Sequence, residues 1–336
     1  MYGKLIKAGS YIHRTYRIKE ELGSGGSGAV YMAWHTRLQK YVVMKVVRNC
    51  STGAVEVLRN EVEALKNIKS MHIPQVLDFF IEKDRSFTIM EYIDGVSFDK
   101  LLKFGRNFTQ AQVIKWYIQL ASALSSIHQN NVCHRDIKPS NIMRTINGDV
   151  CLIDFNSALV SGNNTGVISR SMGYASPEQY EYFKMCKGIF DDLSSKGIFD
   201  DSEGIRAGIE GRAGNDGVSE GISVENDKVY SDYVETALIA GDYNVRPLRG
   251  ENAATGAKIQ GINWRLSDIY SLGATMYHFL TRKRPPVKEE EVVQIPYLRG
   301  YQEGILRIIE RSMRSQPSQR FGSAEELGDA LKDIVL

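Results

Sequence analysis

Short alternating segments dominate the first part of the chain. Apolar and polar residues alternate through residues 16–50 around a glycine cluster, in YRIKEELGSGGSGAVYMAWH followed by KYVVMKVVR. A period of two is typical of β-strands, and the glycines predict tight turns between them. A helical pattern begins at Glu56, and two more strands are predicted at residues 75–81 and 86–92. Residues 1–93 are therefore expected to form a small antiparallel sheet with one helix.

A helical spacing takes over after Asp94. Thr109 and Gln112 form a T-x-x-Q capping box, which predicts the N-terminus of a helix. One apolar stripe then follows, formed by Val113, Tyr117, Leu120, Leu124 and Ile127. Such a stripe indicates a helix that packs against a core. Residues 94–336 are expected to be mainly helical, so the sequence predicts an α+β protein.

Residues from about 183 to 260 break this pattern. They contain 11 glycines, and 14 acidic against 9 basic residues, and the run KGIFDD occurs twice. Glycine at this frequency disfavours a helix, so an inserted loop is predicted, with one short helix at residues 231–241. Two interpretations stay open: a solvated loop, or a segment that docks substrates or regulates the protein.

Composition narrows the class of protein. The 336 residues are 43% hydrophobic with a net charge of +2, and the basic residues are dispersed, so no nucleic-acid partner is expected. The cysteines are irregularly spaced: Cys50, Cys133, Cys151 and Cys186. They suggest neither a zinc site nor a disulfide framework, which fits a reducing cytoplasm. No leader or membrane-spanning segment is expected, although membrane tethering stays open if the natural protein is longer.

Glycines and a lysine in the first part carry the first candidate chemistry. Gly23, Gly25 and Gly28 followed by Val30 give the spacing G-x-G-x-x-G-x-V, where backbone N–H groups can approach phosphate oxygens. A plain glycine-rich hairpin is the alternative. Lys45 lies on an apolar strand and needs a carboxylate partner, for which the predicted helix supplies Glu61. A structural salt bridge would explain that pair equally well.

The densest polar motif is HRDIKPSN, which follows the long predicted helix. In it Asp136 can accept or orient a hydroxyl proton, Lys138 can neutralise a transferring phosphoryl group, and Asn141 can offer an amide oxygen to Mg²⁺. Asp154 follows 18 residues after Asp136, at the end of a predicted strand in IDFN. Asn141 and Asp154 would share one metal site.

In order and spacing these motifs resemble the protein kinase signature set, and the bacterial eukaryotic-like (Hanks-type) serine/threonine protein kinases most of all. The resemblance continues with GYASPEQ at residues 173–179, with Asp268 in SDIYSLGATMYHFL and with Arg320 in PSQRF. It implies a bilobal protein kinase fold, with an ATP-binding lobe at residues 1–93 and a catalytic lobe at residues 94–336. It also implies transfer of the γ-phosphate of ATP to serine or threonine hydroxyls, because Lys138 is typical of that branch.

The resemblance assigns roles to individual residues. Nucleotide-binding positions are implied at Leu22, Gly23, Ser24, Gly25, Gly26, Ser27, Gly28, Val30, Lys45, Glu61, Met90, Glu91, Ile93 and Asp94, with residues 90–93 as the adenine-binding hinge and Met90 as its gatekeeper. Catalytic roles are implied for Lys45, Asp136 and Lys138, and metal binding for Asn141 and Asp154. Structural roles are implied for His134, Arg135, Phe155, Glu178, Asp268 and Arg320. Glu178 should pair with Arg320, and Asp268 should hold the backbone of the HRD loop.

The sequence departs from the family pattern at several positions, and the resemblance also suggests candidate phosphorylation sites. Asn156 stands where the family has glycine after Asp-Phe, Ser176 replaces an alanine, and Met172 replaces a common proline. Asparagine tolerates left-handed backbone angles, so the metal loop is still expected to form. Activation by autophosphorylation is a hypothesis, in which Arg135 receives the phosphate and the acceptors are Thr165, Ser169 and Ser171. Ser171 also matches the hydroxyl residue of the family's P+1 loop.

Two rival functions are alternatives to this one. A pseudokinase would keep the fold and lose turnover, through Asn156 or through a cleft blocked by the insertion. A small-molecule kinase would share the catalytic aspartates, but it would lack HRDIKPSN combined with GYASPEQ. The expected cofactors are ATP and Mg²⁺, with Mn²⁺ as an alternative ion. The expected partners are a protein substrate and, for autophosphorylation, a second copy of the chain.

Overall fold

The computed structural model of the chain describes residues 6–25, 28–48, 59, 62–83, 85–155, 158–160, 171–184 and 262–335. The strands of its largest sheet are β1 (Tyr11–Ile12), β2 (Tyr16–Gly25), β3 (Gly28–His35), β4 (Lys40–Arg48), β5 (Val76–Glu82) and β6 (Arg85–Glu91). They pair antiparallel in the order β1-β2-β3-β4-β6-β5. The strands predicted at residues 75–81 and 86–92 are confirmed to within one residue at each end.

The alternating pattern gives this sheet two different faces. On β4 the side chains of Val42, Met44 and Val46 are fully buried in a small apolar core. Val43 and Lys45, between them, point to the opposite face because successive side chains alternate in a strand. Arg59 and residues 62–66 form the described part of helix α1, the helix that the sequence predicts beside this sheet.

The second part of the chain is mainly helical among its described residues. Its helices are α2 (Phe98–Lys103), α3 (Gln110–Gln129), α4 (residues 177–184), α5 (Trp264–Thr281), α6 (Glu289–Val292), α7 (Glu303–Ser312) and α8 (Ala324–Val335). The capping box is confirmed: the amide of Gln112 donates to the Thr109 hydroxyl at 3.2 Å, and the Gln112 side chain accepts from the Thr109 amide at 3.0 Å. The whole predicted stripe of α3 is buried, and α3 packs against α5 and α8. The α+β class is therefore confirmed.

Short strands between α2 and α4 position the candidate site. They are β7 (Gly95–Ser97), β8 (Val132–Cys133), β9 (Ile142–Thr145), β10 (Val150–Leu152) and β11 (Leu159–Val160). β9 and β10 form a hairpin with Ile142 opposite Leu152, β7 pairs with β9, and β8 pairs with β11. The segment from β8 to β9, which carries HRDIKPSN, is thus fixed at both ends by strand pairing.

Most of the predicted insertion lies outside the described residues, including both KGIFDD copies and the short helix predicted at residues 231–241. The described residues on either side of it are in contact. The ring of Tyr182, in α4, meets the ring of Trp264, at the start of α5, edge to face at 5.3 Å. Within the described part of the chain, no helix has both the length and the apolar character needed to cross a membrane.

Candidate active site

A buried carboxylate in α5 holds the HRD loop. Asp268 has no exposed surface, and its Oδ2 and Oδ1 accept hydrogen bonds from the backbone amides of His134 at 2.8 Å and Arg135 at 2.7 Å. His128, in the last turn of α3, lies 2.9 Å from the same carboxylate through Nε2. Arg135 has a φ of 61°, so its backbone is in the left-handed region and needs such external support. The structure thus brings Asp268 to the loop that the sequence analysis assigned to it.

His134 connects this loop to the segment that carries Asp154. Its Nδ1 accepts from the amide of Asp136 at 3.3 Å, so the proton lies on Nε2, which is 3.2 Å from the carbonyl of Ile153. Its ring also packs on Phe155 at 4.8 Å between centroids. His134 and Phe155 are both buried, which fits the structural roles expected for them. A displacement of one segment would therefore also displace the other.

Three polar side chains converge beyond His134. Lys138 Nζ lies 2.9 Å from Asp136 Oδ2, and the hydroxyl of Ser171 donates to Asp136 Oδ1 at 2.7 Å. Lys138 also donates to the Ser171 hydroxyl at 3.0 Å. The carboxylate and the ammonium therefore hold one hydroxyl between them. About a tenth of the Asp136 side chain is exposed, so most of it is shielded from solvent.

The β9–β10 hairpin brings the two candidate metal ligands to one place. Asn141 immediately precedes β9 and Asp154 follows β10 by two residues, and the Ile153 amide donates to the Asn141 carbonyl at 2.8 Å. The Asn141 amide donates through Nδ2 to the backbone carbonyl and the Oδ2 of Asp136, at 2.8 and 3.0 Å. Among the described groups, the Asn141 Oδ1 accepts only a long 3.3 Å hydrogen bond, from the Ser140 hydroxyl. This oxygen is therefore available as a ligand for a cation. An amide oxygen with a carboxylate suits a hard divalent cation.

The glycine-rich turn between β2 and β3 requires glycine for close packing at one position. A Cβ at Gly28 would lie 2.1 Å from the carbonyl oxygen of Val46 on β4, which no side chain can tolerate. At Gly23 none of the described residues lies within 4 Å of the corresponding point. Leu22, Gly23 and Ser24 are exposed. Gly26 and Ser27, which were also expected to contact phosphate, lie outside the described residues.

Lys45 shares one sheet face with the expected adenine contacts. In the register of β3, β4 and β6, Lys45 stands opposite Val30 on one side and Thr88 on the other, and Val43 stands opposite Met90. Directly opposed residues of antiparallel strands project from the same face. Val30, Lys45 and Met90 therefore lie together on the face away from the small apolar core. Glu61, the expected partner of Lys45, lies outside the described residues.

The expected hinge, residues 90–93, consists of the last two residues of β6 and the first two of the irregular segment that leads to β7. The backbone amide of Glu91 is already bonded to the carbonyl of Gln75 at 2.9 Å, and the carbonyl of Asp94 accepts from Ile146 at 3.1 Å. The structure therefore places Glu91 and Asp94 at the two ends of the segment. Ile93 is half-buried between them, while the side chains of Glu91 and Asp94 are exposed.

An ion pair ties α4 to the segment before α8. Arg320 donates to both carboxylate oxygens of Glu178, at 2.6 and 2.9 Å, and its side chain is fully buried. Next to this pair, Ser176 caps α4 by accepting the amide of Gln179 at 3.3 Å, with Pro177 at the first helical position. The Ser176 hydroxyl is buried and lies 2.8 Å from that of Ser267. The serine that departs from the family pattern is thus accommodated by a second serine.

The residues expected to take part in regulation are only partly described. Ser171 lies at Asp136 as above, whereas Thr165 and Ser169 lie outside the described residues, as does Asn156. Arg135 is 2% exposed, and its guanidinium lies 5.3 Å from the centroid of the Trp264 ring.

Three residues of the site have no role in the sequence analysis. They are His128, Gln179 and Trp264. Gln179 donates to the backbone carbonyl of Arg135 at 2.8 Å. The only sequence signal was that Gln179 belongs to GYASPEQ. The contacts of His128 and Trp264 join segments too far apart in the chain for spacing to reveal them.

Comparison with known proteins adds a family match. The sequence matches the family described as protein kinase domain over residues 16–190, about half of the chain. A probable serine/threonine-protein kinase of Clostridium acetobutylicum is 33% identical over 178 residues, which are 51% of this chain and 27% of that protein. Serine/threonine-protein kinase PknD of Mycobacterium tuberculosis is 32% identical over 172 residues, 49% of this chain and 26% of that protein.

A third relative is closer in length. The probable serine/threonine-protein kinase YbdM of Bacillus subtilis is 30% identical over 162 residues, 47% of this chain and 63% of that protein. The match therefore spans about a quarter of the first two relatives and less than two thirds of the third.

Proposed function

The chain belongs to the protein kinase family, and from this premise we propose that it transfers the γ-phosphate of ATP to serine or threonine hydroxyls of proteins. The observation that carries the proposal is the arrangement around Asp136. Its carboxylate and the Lys138 ammonium together hold the hydroxyl of Ser171 at 2.7 and 3.0 Å. A site that holds a serine hydroxyl against a carboxylate and a cation has the contacts that phosphoryl transfer to an alcohol needs.

Each residue then has a defined task in the proposed reaction. Asp136 orients the acceptor hydroxyl and takes its proton, and Lys138 neutralises charge on the phosphoryl group during its transfer. Lys45 would contact the α- and β-phosphates from the sheet face that it shares with Val30 and Met90. Asp268 keeps the amides next to Asp136 in place from inside α5, which limits the reorganisation needed during the reaction.

We further propose a divalent cation, Mg²⁺ before Mn²⁺, at Asn141 and Asp154. Their oxygen donors at one end of the β9–β10 hairpin fit such an ion. When bound, the ion would offset the negative charge of the β- and γ-phosphates. Titration of Mg²⁺ against the protein, followed by protection from thermal unfolding in the presence of ATP, would test the assignment. Asn141→Ala should weaken the Mg²⁺-dependent part of that protection.

Ser171 offers a sharp test of the proposed acceptor geometry. Because its hydroxyl bonds to Asp136 and Lys138, we propose that Ser171 positions these two groups. The sites of activating phosphorylation would then be Thr165 and Ser169. Ser171→Thr keeps the hydroxyl and should retain activity, whereas Ser171→Ala should lower kcat more than it raises KM. Equal activity of both variants would contradict this role.

Autophosphorylation between copies and a cytoplasmic location complete the proposal. ATP is abundant in the cytoplasm, and the described cysteines Cys133 and Cys151 are unpaired thiols, as expected under reducing conditions. Mass spectrometry of protein incubated with Mg-ATP would show phosphate at Thr165 or Ser169. A double alanine variant that keeps full activity would contradict activation through these two sites.

A further inference from the structure

A basic cavity lies beyond the C-terminus of α5. It has a volume of about 390 Å³ and is lined by Lys283, Arg284 and Lys288, and Glu291 is the only acidic residue among the described residues of its wall. All three cationic side chains are exposed. In the part of the chain that the structure describes, none of the three has a carboxylate within ion-pair distance. The cavity therefore presents positive charge that the described residues do not neutralise.

The carboxylate that follows Lys288 in the chain bonds to residues outside the cavity. Glu289 follows Lys288 directly, but its oxygens lie 3.2 Å from the guanidinium of Arg314 and 2.8 Å from the amide of Ser315. Its carboxylate accordingly holds the segment after α7. The cations of the cavity keep their capacity to bind an external anion.

One segment connects this cavity with the acceptor site. Gly173 has a φ of 85°, and a Cβ there would touch Pro285 in the cavity wall at 3.6 Å. Ser171, two residues earlier, is bonded to Asp136. Two residues span at most about 7 Å, so the cavity begins within a few residues of the position where an acceptor hydroxyl must lie.

Arg284 also acts electrostatically on the residues beside Gly173. Tyr174, the next residue, is hydrogen-bonded to His278 of α5 at 2.5 Å. The pKa of His278 is lowered first by burial and then by the charges of Arg282 and Arg284. The charge of Arg284 therefore acts on Tyr174 and His278, next to the residue that packs against Pro285.

From this arrangement we propose that the protein selects substrates that carry acidic residues about three or four positions from the acceptor serine or threonine. The carboxylates would bind Arg284 and Lys288 while the acceptor hydroxyl lies at Asp136. An extended peptide advances about 3.3 Å per residue, so three or four residues bridge from Asp136 across the Ser171–Gly173 segment into the cavity. The inference rests on the proposed function, because it needs the phosphoryl transfer that Asp136 would support.

Peptide kinetics test the proposal directly. A neutral peptide with one serine would be compared with versions that carry two aspartates three and four residues before the serine, or three and four residues after it. For one of the acidic peptides we expect kcat/KM to exceed that of the neutral peptide by about fivefold to twentyfold, the range that two exposed ion pairs supply. The preference should shrink at high salt, because screening weakens exposed pairs.

Charge variants identify the residues responsible. Arg284→Gln with Lys288→Gln should abolish the preference while leaving kcat/KM for the neutral peptide within about twofold, since exposed substitutions rarely disturb folding. Arg284→Glu with Lys288→Glu should make a lysine-bearing peptide the better substrate. The matched control is Lys40→Gln with Arg299→Gln, which removes the same charge at exposed positions outside the cavity and should keep the preference.

The outcomes separate this inference from the proposed function. Equal rates on acidic and neutral peptides, or an acidic preference that survives the Arg284 and Lys288 changes, would overturn the inference and leave the kinase activity standing. No transfer to any peptide or to the protein itself would overturn the activity, and the substrate preference with it.

Discussion

Replacing one buried carboxylate should loosen the whole active-site loop. Asp268 accepts from the amides of His134 and Arg135 at 2.8 and 2.7 Å and contacts His128 at 2.9 Å. In Asp268→Asn the single amide oxygen can serve one backbone amide, while the new NH₂ group faces a second donor. A buried hydrogen bond to a charged group contributes about 1.5–3 kcal/mol, and His128 can offset part of the loss by changing tautomer. We therefore expect unfolding free energy to fall by about 2–4 kcal/mol.

Urea unfolding followed by tryptophan fluorescence would measure this change, and Asp329→Asn is the matched control. The Asp329 side chain is 61% exposed and pairs with Lys332 on the surface of α8, so its loss should cost less than about 0.5 kcal/mol. Asp268→Asn should also lower phosphoryl transfer by more than the loss of folded protein explains. A cost for Asp268→Asn no greater than that of the control would refute the reasoning.

Three further predictions concern stability and reactivity. Arg320→Ala leaves the Glu178 carboxylate without its cationic partner and should destabilise the protein by about 3–5 kcal/mol in the same urea assay. A cost below about 1 kcal/mol would contradict a buried ion pair. Tyr117 is fully buried and its hydroxyl has no hydrogen-bond partner among the described groups, so Tyr117→Phe should leave the melting temperature unchanged or raise it. Burial raises the pKa of Cys133 and of Cys151 to about 12, so at pH 8 neither thiol of the folded protein should react with iodoacetamide, which peptide mass spectrometry can follow.

The raised pKa values of Cys133 and Cys151 also fix how the stability of the protein depends on pH. An unfolded thiol loses its proton above about pH 8.5, whereas the folded protein retains it until about pH 12. The unfolded state therefore binds fewer protons between these values, and the contribution of both thiols to stability should decline as pH rises above about 8.5.

Local sequence rules recovered the elements that depend on neighbouring residues. The capping box at Thr109 and Gln112 and the stripe of α3 follow from spacings of three and four residues, which a single helix satisfies by itself. The strands β5 and β6 follow from composition and alternation. Motif spacing also indicated HRDIKPSN, because its polar residues lie within one short loop.

Contacts between distant segments could not be read from spacing. The bond from the His134 amide to Asp268 spans 134 residues, and the hydroxyls of Ser176 and Ser267 meet across 91 residues. Only the family resemblance, and no spacing, assigned Asp268 to the HRD loop. The sequence analysis gave no role to Gln179, because a glutamine that bonds to a backbone carbonyl leaves no pattern in the sequence. The basic cavity could not be predicted for a similar reason: its proximity to Ser171 depends on how Gly173 packs against Pro285.

Transfer of labelled γ-phosphate from Mg-ATP is the measurement that tests the central claim most directly. The native protein would be incubated with a generic serine-containing protein substrate, in parallel with Asp136→Asn and with the surface control Asp329→Asn. We predict incorporation by the native protein and the control, and a decrease of at least about 100-fold for Asp136→Asn, the usual contribution of a catalytic base. A native protein that binds ATP but transfers no phosphate, or an Asp136→Asn variant with unchanged activity, would contradict the account.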